Sequence, residues 1–231
     1  TWSEPRRLCD GIMMNKPLVT SQGEWMLPAA IWDIKKVTPE DVSPEDTGAN
    51  VFVSADQGKT WSYRGRALAS SRSYDEHMLT ENKDGSLRMW IRTGGGIAES
   101  ASTDGGKTWT VPKFRKDMSR VSARFFIRRL KSGNLLLISN KPPEGNKRSH
   151  LTATISEDDG VTWKGRLVLD ERADGTGVSY PDGTEADQIR IIYVLDRDKT
   201  GHVLMAAFAE RHVLKGAWQS PWSLFRVLPH K

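Results

Sequence analysis

Glu76, Arg92, Arg148 and Tyr180 carry side chains that could act together on a small molecule. A carboxylate can take a proton from a neighbour, and a planar guanidinium can hold a carboxylate through two parallel hydrogen bonds. A phenol with its ordinary pKa near 10 attacks poorly by itself and needs a base to draw off its proton. Each residue also has a plainer interpretation. An arginine at a strand end is commonly solvated or paired, Tyr180 precedes Pro181 and could be a rim aromatic, and Glu76 follows Asp75 and could belong to a surface ion pair. Choosing between these depends on the elements that position them.

Those elements repeat. The pattern Ser-x-Asp-x-Gly-x-Thr-Trp occurs three times, from Ser54 to Trp61, Ser102 to Trp109 and Ser156 to Trp163, and Thr1-Trp2 matches its last two positions. Self-similarity at a period of roughly 50 residues marks stacked supersecondary units. Within the pattern the Asp can accept hydrogen bonds from nearby backbone N–H groups, the Gly permits a left-handed turn, and the Trp lays an apolar face over the hairpin. Asp56, Asp104 and Asp158 are accordingly read as structural staples and not as paired catalytic carboxylates.

Similar segments precede each copy. The second unit predicts strands at Glu76 to Glu81, Leu87 to Ile91 and Gly96 to Ser102, with a turn at Asp84-Gly85. The third predicts Phe125 to Leu130, Leu135 to Ser139 and Leu151 to Ser156, with a turn at Ser132-Gly133. The first predicts Lys16 to Thr20 and Trp25 to Ile31 around Ser21-Gln22-Gly23, then an exposed polar insertion, Lys35 to Asn50 with Pro39 and Pro44, and a strand at Val51 to Val53. The last predicts Ser179 to Ala186, Ile189 to Leu195 and Val203 to Phe208 without a copy of the pattern, and the tail Ala217 to Lys231 is expected to add an outer strand or pack beneath. Short strands punctuated by Asp-Gly or Ser-Gly are hairpin signals, and four strands per unit make a propeller blade. The expected fold is an all-β propeller, one domain over residues 1–231, with about four blades in this chain. A chain opening inside a repeat predicts one or two further blades upstream.

Composition narrows the partners. With 37% hydrophobic and 27% charged residues among 231, the chain reads as globular, and no apolar run approaches the ~18 residues of a membrane span. The net charge of +5 raises the possibility of nucleic acid, but the basic residues are scattered among Asp and Glu without an aromatic-basic stripe. Neither nucleic acid nor membrane is expected as a partner, while an anionic small substrate suits the positive excess. The lone Cys9 permits no internal disulfide and no metal cluster, and no metal or cofactor is expected.

In a propeller the innermost strand of each blade starts at the mouth of the central channel. That register puts Lys16, Glu76, Phe125 with Arg124 beside it, and Tyr180 at strand openings. Arg92 and Asp196 then end second strands, and Arg148 precedes a third.

With its three boxes at blade spacing, the chain resembles the sialidase (neuraminidase) superfamily, whose Asp-box repeats lie on a six-bladed propeller. In sialidases a Glu opens an inner strand, an Arg follows about sixteen residues later, a second Arg lies shortly before a box, and a Tyr opens the next blade. Glu76, Arg92, Arg148 and Tyr180 match that order. The resemblance implies an exo-glycosidase acting on terminal sialic acid or a related acidic sugar of a glycan. Tyr180 would be its nucleophile, Glu76 the base and Arg92 and Arg148 the carboxylate clamp. Sialic acid carries a carboxylate on its anomeric carbon, so an attacking Asp or Glu would meet about 4 kcal/mol of repulsion at ~4 Å and an effective dielectric near 20. A neutral phenol avoids it.

Asp182 is a further substrate-contact candidate, because Pro181 stands where sialidases more often have Ser and would reshape the site, and Arg124, beside the opening of an inner strand, is another. The family's acid/base Asp and the first Arg of its cluster match nothing here, so the chain alone is expected to be inactive. Secretion or a periplasmic location would go with a sialidase. A non-catalytic glycan-binding propeller and a polysaccharide lyase are the alternatives.

Overall fold

The computed structural model describes residues 2–32, 46–199 and 201–218, together with the backbone of 226–228. It forms two compact units, one of Thr1–Thr93 with Ala98–Lys113, the other of Gly94–Ile97 with Phe114–Lys231.

The first unit holds one four-stranded sheet, β1 (Leu18–Val19), β2 (Trp25–Ile31), β3 (Gly48–Ser54) and β4 (Ser62–Ala67). It also holds most of a second, β5 (Arg72–Glu81), β6 (Leu87–Thr93), β7 (Gly96–Ser102) and β8 (Lys113–Phe114). Each sheet is ordered as the chain runs, the meander of a propeller blade. Alternation drives the packing: Ala49, Val51 and Val53 of β3 and Leu87, Met89 and Ile91 of β6 are buried in one cluster with Met26, Ala67 and Leu79. Burying a side chain of Met, Leu or Ile size contributes about 1.5–3 kcal/mol. Gly65 of β4 lies so close to the turn of the second sheet that a Cβ would come within 2.4 Å of the Gly106 carbonyl, so only glycine fits there.

The second unit repeats the arrangement with β9 (Phe126–Arg129), β10 (Leu135–Asn140), β11 (His150–Ser156) and β12 (Lys164–Glu171), followed by β13 (Val178–Glu185), β14 (Ile189–Leu195), β15 (His202–Phe208) and β16 (Arg226–Leu228). A short helix, α1 (Glu210–Lys215), links β15 to β16 and ends at Gly216, φ +66°. Six residues are too few for a helical period to show in sequence. Gly165 of β12 leaves room for it, since a Cβ would fall 2.2 Å from the Val213 carbonyl.

The first turns of three blades are the same structure. Gly23, Gly85 and Gly133 donate their N–H groups to Thr20, Asn82 and Leu130 at 2.9, 3.0 and 2.9 Å, at φ +84°, +82° and +88°. The repeated pattern is also one structure throughout. Asp56 accepts the Ser54 hydroxyl at 2.7 Å, the Thr60 N–H at 2.9 Å and the Thr60 hydroxyl at 2.6 Å, and Gly58 N–H donates to Ser54 Oγ at 2.7 Å. Asp104 and Asp158 hold Thr108 and Thr162 in the same way. The Trp61 and Trp109 indoles donate to the Gly58 and Gly106 carbonyls at 3.2 and 3.0 Å. The Thr hydroxyls and backbone N–H groups hold the Asp56 and Asp104 carboxyls well below the usual carboxylate range. At Asp158 slight burial acts upward, but the Thr162 and Ser156 hydrogen bonds outweigh it and bring the carboxyl down to about 2. Such groups stay ionised at neutral pH and move no protons.

The strand expectations need correction at their ends. β1 begins at Leu18 instead of Lys16, β9 at Phe126 instead of Phe125, β5 at Arg72 instead of Glu76, and β13 at Val178 instead of Ser179. Arg92 is followed by one more residue of β6, and Asp196 falls in the turn after β14. Asp182 and Gly183 of β13 pair with Ile192 and Ile191 of β14. The outer strands β4, β8 and β12 each follow a copy of the pattern, in segments the sequence left unassigned. The polar insertion with Pro39 and Pro44 lies outside the described residues except near its end, where β3 already starts at Gly48. Of the tail, Arg226–Leu228 is an outer strand on β15.

Candidate functional site

In the first unit, the chemistry-bearing residues lie at a break in pairing. Arg72 pairs with Thr93 and the next pair is His77 with Ile91, so residues 73–76 bulge opposite Arg92. Asp75 takes φ +44° in this bulge. The His77–Ile91 register, carried one residue further, sets Glu76 opposite Arg92, whose Nη1 donates to Glu76 Oε2 at 2.7 Å. Both side chains are almost wholly buried, 4% and 5% exposed, so each charge depends on the other for solvation. The Arg92 guanidinium also lies 4.9 Å from the centroid of Tyr74, which meets Trp32 edge-on at 5.0 Å. A second pair, Arg72 with buried Asp75 at 2.6 Å, closes the bulge from the other side.

His77 follows directly and is fully buried. Its Nδ1 lies 2.9 Å from the Asp75 carbonyl and its Nε2 2.8 Å from that of Asn50. Burial disfavours the imidazolium more strongly than the two carbonyls favour it, and the pKa is pushed down to about 4. His77 therefore stands neutral beside the ion pair.

In the second unit, β13 breaks in a comparable way. Ser179 pairs with Val194 and Asp182 with Ile192, leaving Tyr180 and Pro181 opposite Tyr193. Tyr180 is held at φ +56°, a conformation that costs a bulky residue about 1–3 kcal/mol. Proline is tolerated beside it because the broken ladder requires no donor there. The half-buried Tyr180 accepts a hydrogen bond on its phenolic oxygen from Arg197 Nη1 at 2.5 Å. The same guanidinium lies 5.1 Å from the ring centroid.

Two other candidates gather around the bulge. Buried Arg124 donates to the Pro181 carbonyl at 2.7 Å and pairs with Asp182 at 3.7 Å. Arg148 is half-buried and donates to the Ser122 carbonyl at 2.8 Å. Tyr193, across the bulge, serves the core: its hydroxyl donates to buried Asp170 at 3.0 Å, and Asp170 also pairs with Arg172 at 2.7 Å. Burial, reinforced by Asp170, pushes the Tyr193 phenol far up and keeps it protonated.

Within the units, then, Glu76 meets Arg92, and Arg124 meets Asp182 beside Tyr180. Sequence reasoning missed Arg197, Tyr74 and Trp32. Arg197 had a signal, since it follows Asp196, which the register already assigned to the same end of the blade. Among the described residues no cluster of His, Cys, Asp and Glu could hold a metal ion.

Residues 1–191 match the family model described as the BNR repeat-like domain. No curated protein matches the sequence. Among solved structures, the intramolecular trans-sialidase from Ruminococcus gnavus superposes with a TM-score of 0.61 at 21% identity, over 86% of this chain and 42% of that one. NanB sialidase from Streptococcus pneumoniae gives 0.58 at 21% identity, over 77% and 26%. The α-L-arabinanase of Penicillium chrysogenum, bound to arabinobiose, gives 0.62 at 13% identity, over 92% and 65%. This chain thus spans from about a quarter to under two thirds of the length of these proteins. At such identities the likeness is one of fold, and the all-β propeller expected from the repeats is the fold shared.

Proposed function

The chain belongs to the BNR repeat-like domain family, and from that premise we propose that it serves an exo-glycosidase of sialidase type. The substrate is a glycan ending in sialic acid or a related acidic sugar, Tyr180 is the nucleophile, Glu76 the general base, and Arg92 and Arg148 bind the substrate carboxylate. The observation that carries the proposal is the backbone of Tyr180: an unfavourable left-handed bulge presents a phenol whose oxygen is hydrogen-bonded to a cation. Strain of this kind persists where the surroundings over-determine it, and it concentrates at functional sites. Attack forms a bond from the tyrosine oxygen to the anomeric carbon while the bond to the aglycone oxygen breaks. The phenolic proton passes to the base, and the aglycone takes one from a general acid. Water then releases the sugar with retention.

The decisive measurement is release of free sugar from sialosides and from other 2-keto acid glycosides. Release that Tyr180→Phe abolishes supports the proposal, and no release from any of them by the full-length protein refutes it.

A glycan-binding propeller without turnover is the second possibility, and the Glu76–Arg92 contact favours it, because a carboxylate already neutralises that guanidinium. It predicts glycan binding that survives Tyr180→Phe and is lost on replacing Arg92 or Arg148.

A further inference from the structure

We propose that Arg197 is a positioning residue for Tyr180: it fixes the phenolic oxygen as a hydrogen-bond acceptor and stabilises the negative charge that develops there when the phenol proton leaves. Its catalytic meaning rests on Tyr180 being the nucleophile, but the contact and its electrostatic effect do not.

Three observations bear on this. First, a guanidinium has donors and no acceptor, so at 2.5 Å the Tyr180 oxygen must receive the Arg197 N–H through a lone pair. The phenol's own proton is thereby directed away from Arg197, toward whatever base removes it. Second, Arg197 has two hold points on the same tyrosine, the oxygen and the ring face at 5.1 Å, which restrict rotation of the ring. Third, the segment bearing Arg197 is constrained. Asp196 adopts φ +50°, its N–H donates to the Gly177 carbonyl at 2.8 Å, and its carbonyl receives the N–H groups of Lys199 and Gly201 at 3.1 and 2.9 Å. Asp198 pairs with Arg197 Nε at 3.3 Å, orienting the guanidinium without occupying the edge that faces Tyr180.

Tyr193 shows what the opposite arrangement does. Its oxygen donates to a carboxylate, which resists loss of the proton. The two tyrosine oxygens at one bulge are therefore hydrogen-bonded to partners of opposite charge, Tyr193 to a carboxylate and Tyr180 to a guanidinium.

Limited iodination of the protein tests this, because iodine adds to the phenolate form, and peptide mass mapping reads Tyr180 separately. Arg197→Gln removes the cation and also uncovers the ring. If Arg197 only shields Tyr180, labelling must rise. If it stabilises the phenolate, labelling at fixed pH must fall, by roughly fivefold for loss of an adjacent opposite charge. Arg197→Lys should retain most of the parental labelling. A rise or no change in Arg197→Gln overturns the proposal, whatever the protein does to glycans. A fall without any sugar release by the full-length protein upholds it and removes only the glycosidase reading. Where sugar is released, Arg197→Gln should lower kcat by about 10- to 100-fold with little change in KM, partly restored in Arg197→Lys. The side chain of Arg197 is 53% exposed, so neither substitution disturbs a core.

Discussion

Glu76 and Arg92 stand sixteen residues apart in sequence and 2.7 Å apart in space, with their side chains 4% and 5% exposed. Their meeting follows from the register of β5 and β6: the unbroken pairing from Glu81–Leu87 to His77–Ile91, carried one step further, sets Glu76 opposite Arg92. The bulge lies just beyond them, adding residues 73–75 between that position and the Arg72–Thr93 pair.

Replacing Arg92 with Met alone is expected to destabilise the protein by about 3–5 kcal/mol, since it strands a buried carboxylate. The double replacement Glu76→Leu with Arg92→Met should recover most of that loss. Urea unfolding of the two singles and the double measures the coupling, and strict additivity would show that the pair does not interact.

Tyr180→Phe removes one oxygen from a side chain that is only half-buried, so unfolding should be little changed. Sugar release should fall by at least about 10³-fold, the scale seen when a nucleophile is deleted. Retained turnover in the Phe variant would exclude Tyr180 as nucleophile.

His77 supplies a pH dependence of stability. Unfolded, its imidazole takes a proton near pH 6.5, whereas the folded protein holds the pKa down at about 4. The unfolded state therefore binds the proton first as pH falls. The stabilisation is complete above about pH 6.5 and is lost between there and pH 4, amounting to roughly 3 kcal/mol. Urea midpoints between pH 7 and pH 5 should decline in the parent and flatten in His77→Gln. An equal slope in both would assign the effect to other groups.

Asp104→Asn tests the structural role of the repeated turn. The variant loses the charge that receives the Thr108 N–H and hydroxyl, so its thermal midpoint should drop while sugar release by the remaining folded protein stays within about twofold. A specific loss of turnover at full stability would reverse that role. Because these carboxyls titrate below the ordinary Asp range, acid should weaken the turns only once the pH falls below about 4.

What the sequence determined by itself is the local part. The three turn patterns, the Gly23, Gly85 and Gly133 turns and the strands beside them are set by residues within a few positions of one another, so type and spacing suffice to announce them. They carried the all-β character, the number of sheets and the structural role of Asp56, Asp104 and Asp158. Helix α1 escaped because six residues carry no readable period, and the outer strands because they follow the pattern without a marker of their own. Only the tertiary structure decided what the chemical residues touch. Bulges at 73–76 and 180–181 arise from how two strands align, a property that neither strand encodes alone. The bulges added residues ahead of Glu76 and left Tyr180 and Pro181 facing one partner, while the fold sealed Glu76 against Arg92 away from solvent and set the Tyr180 oxygen against the guanidinium of Arg197, seventeen residues further along the chain.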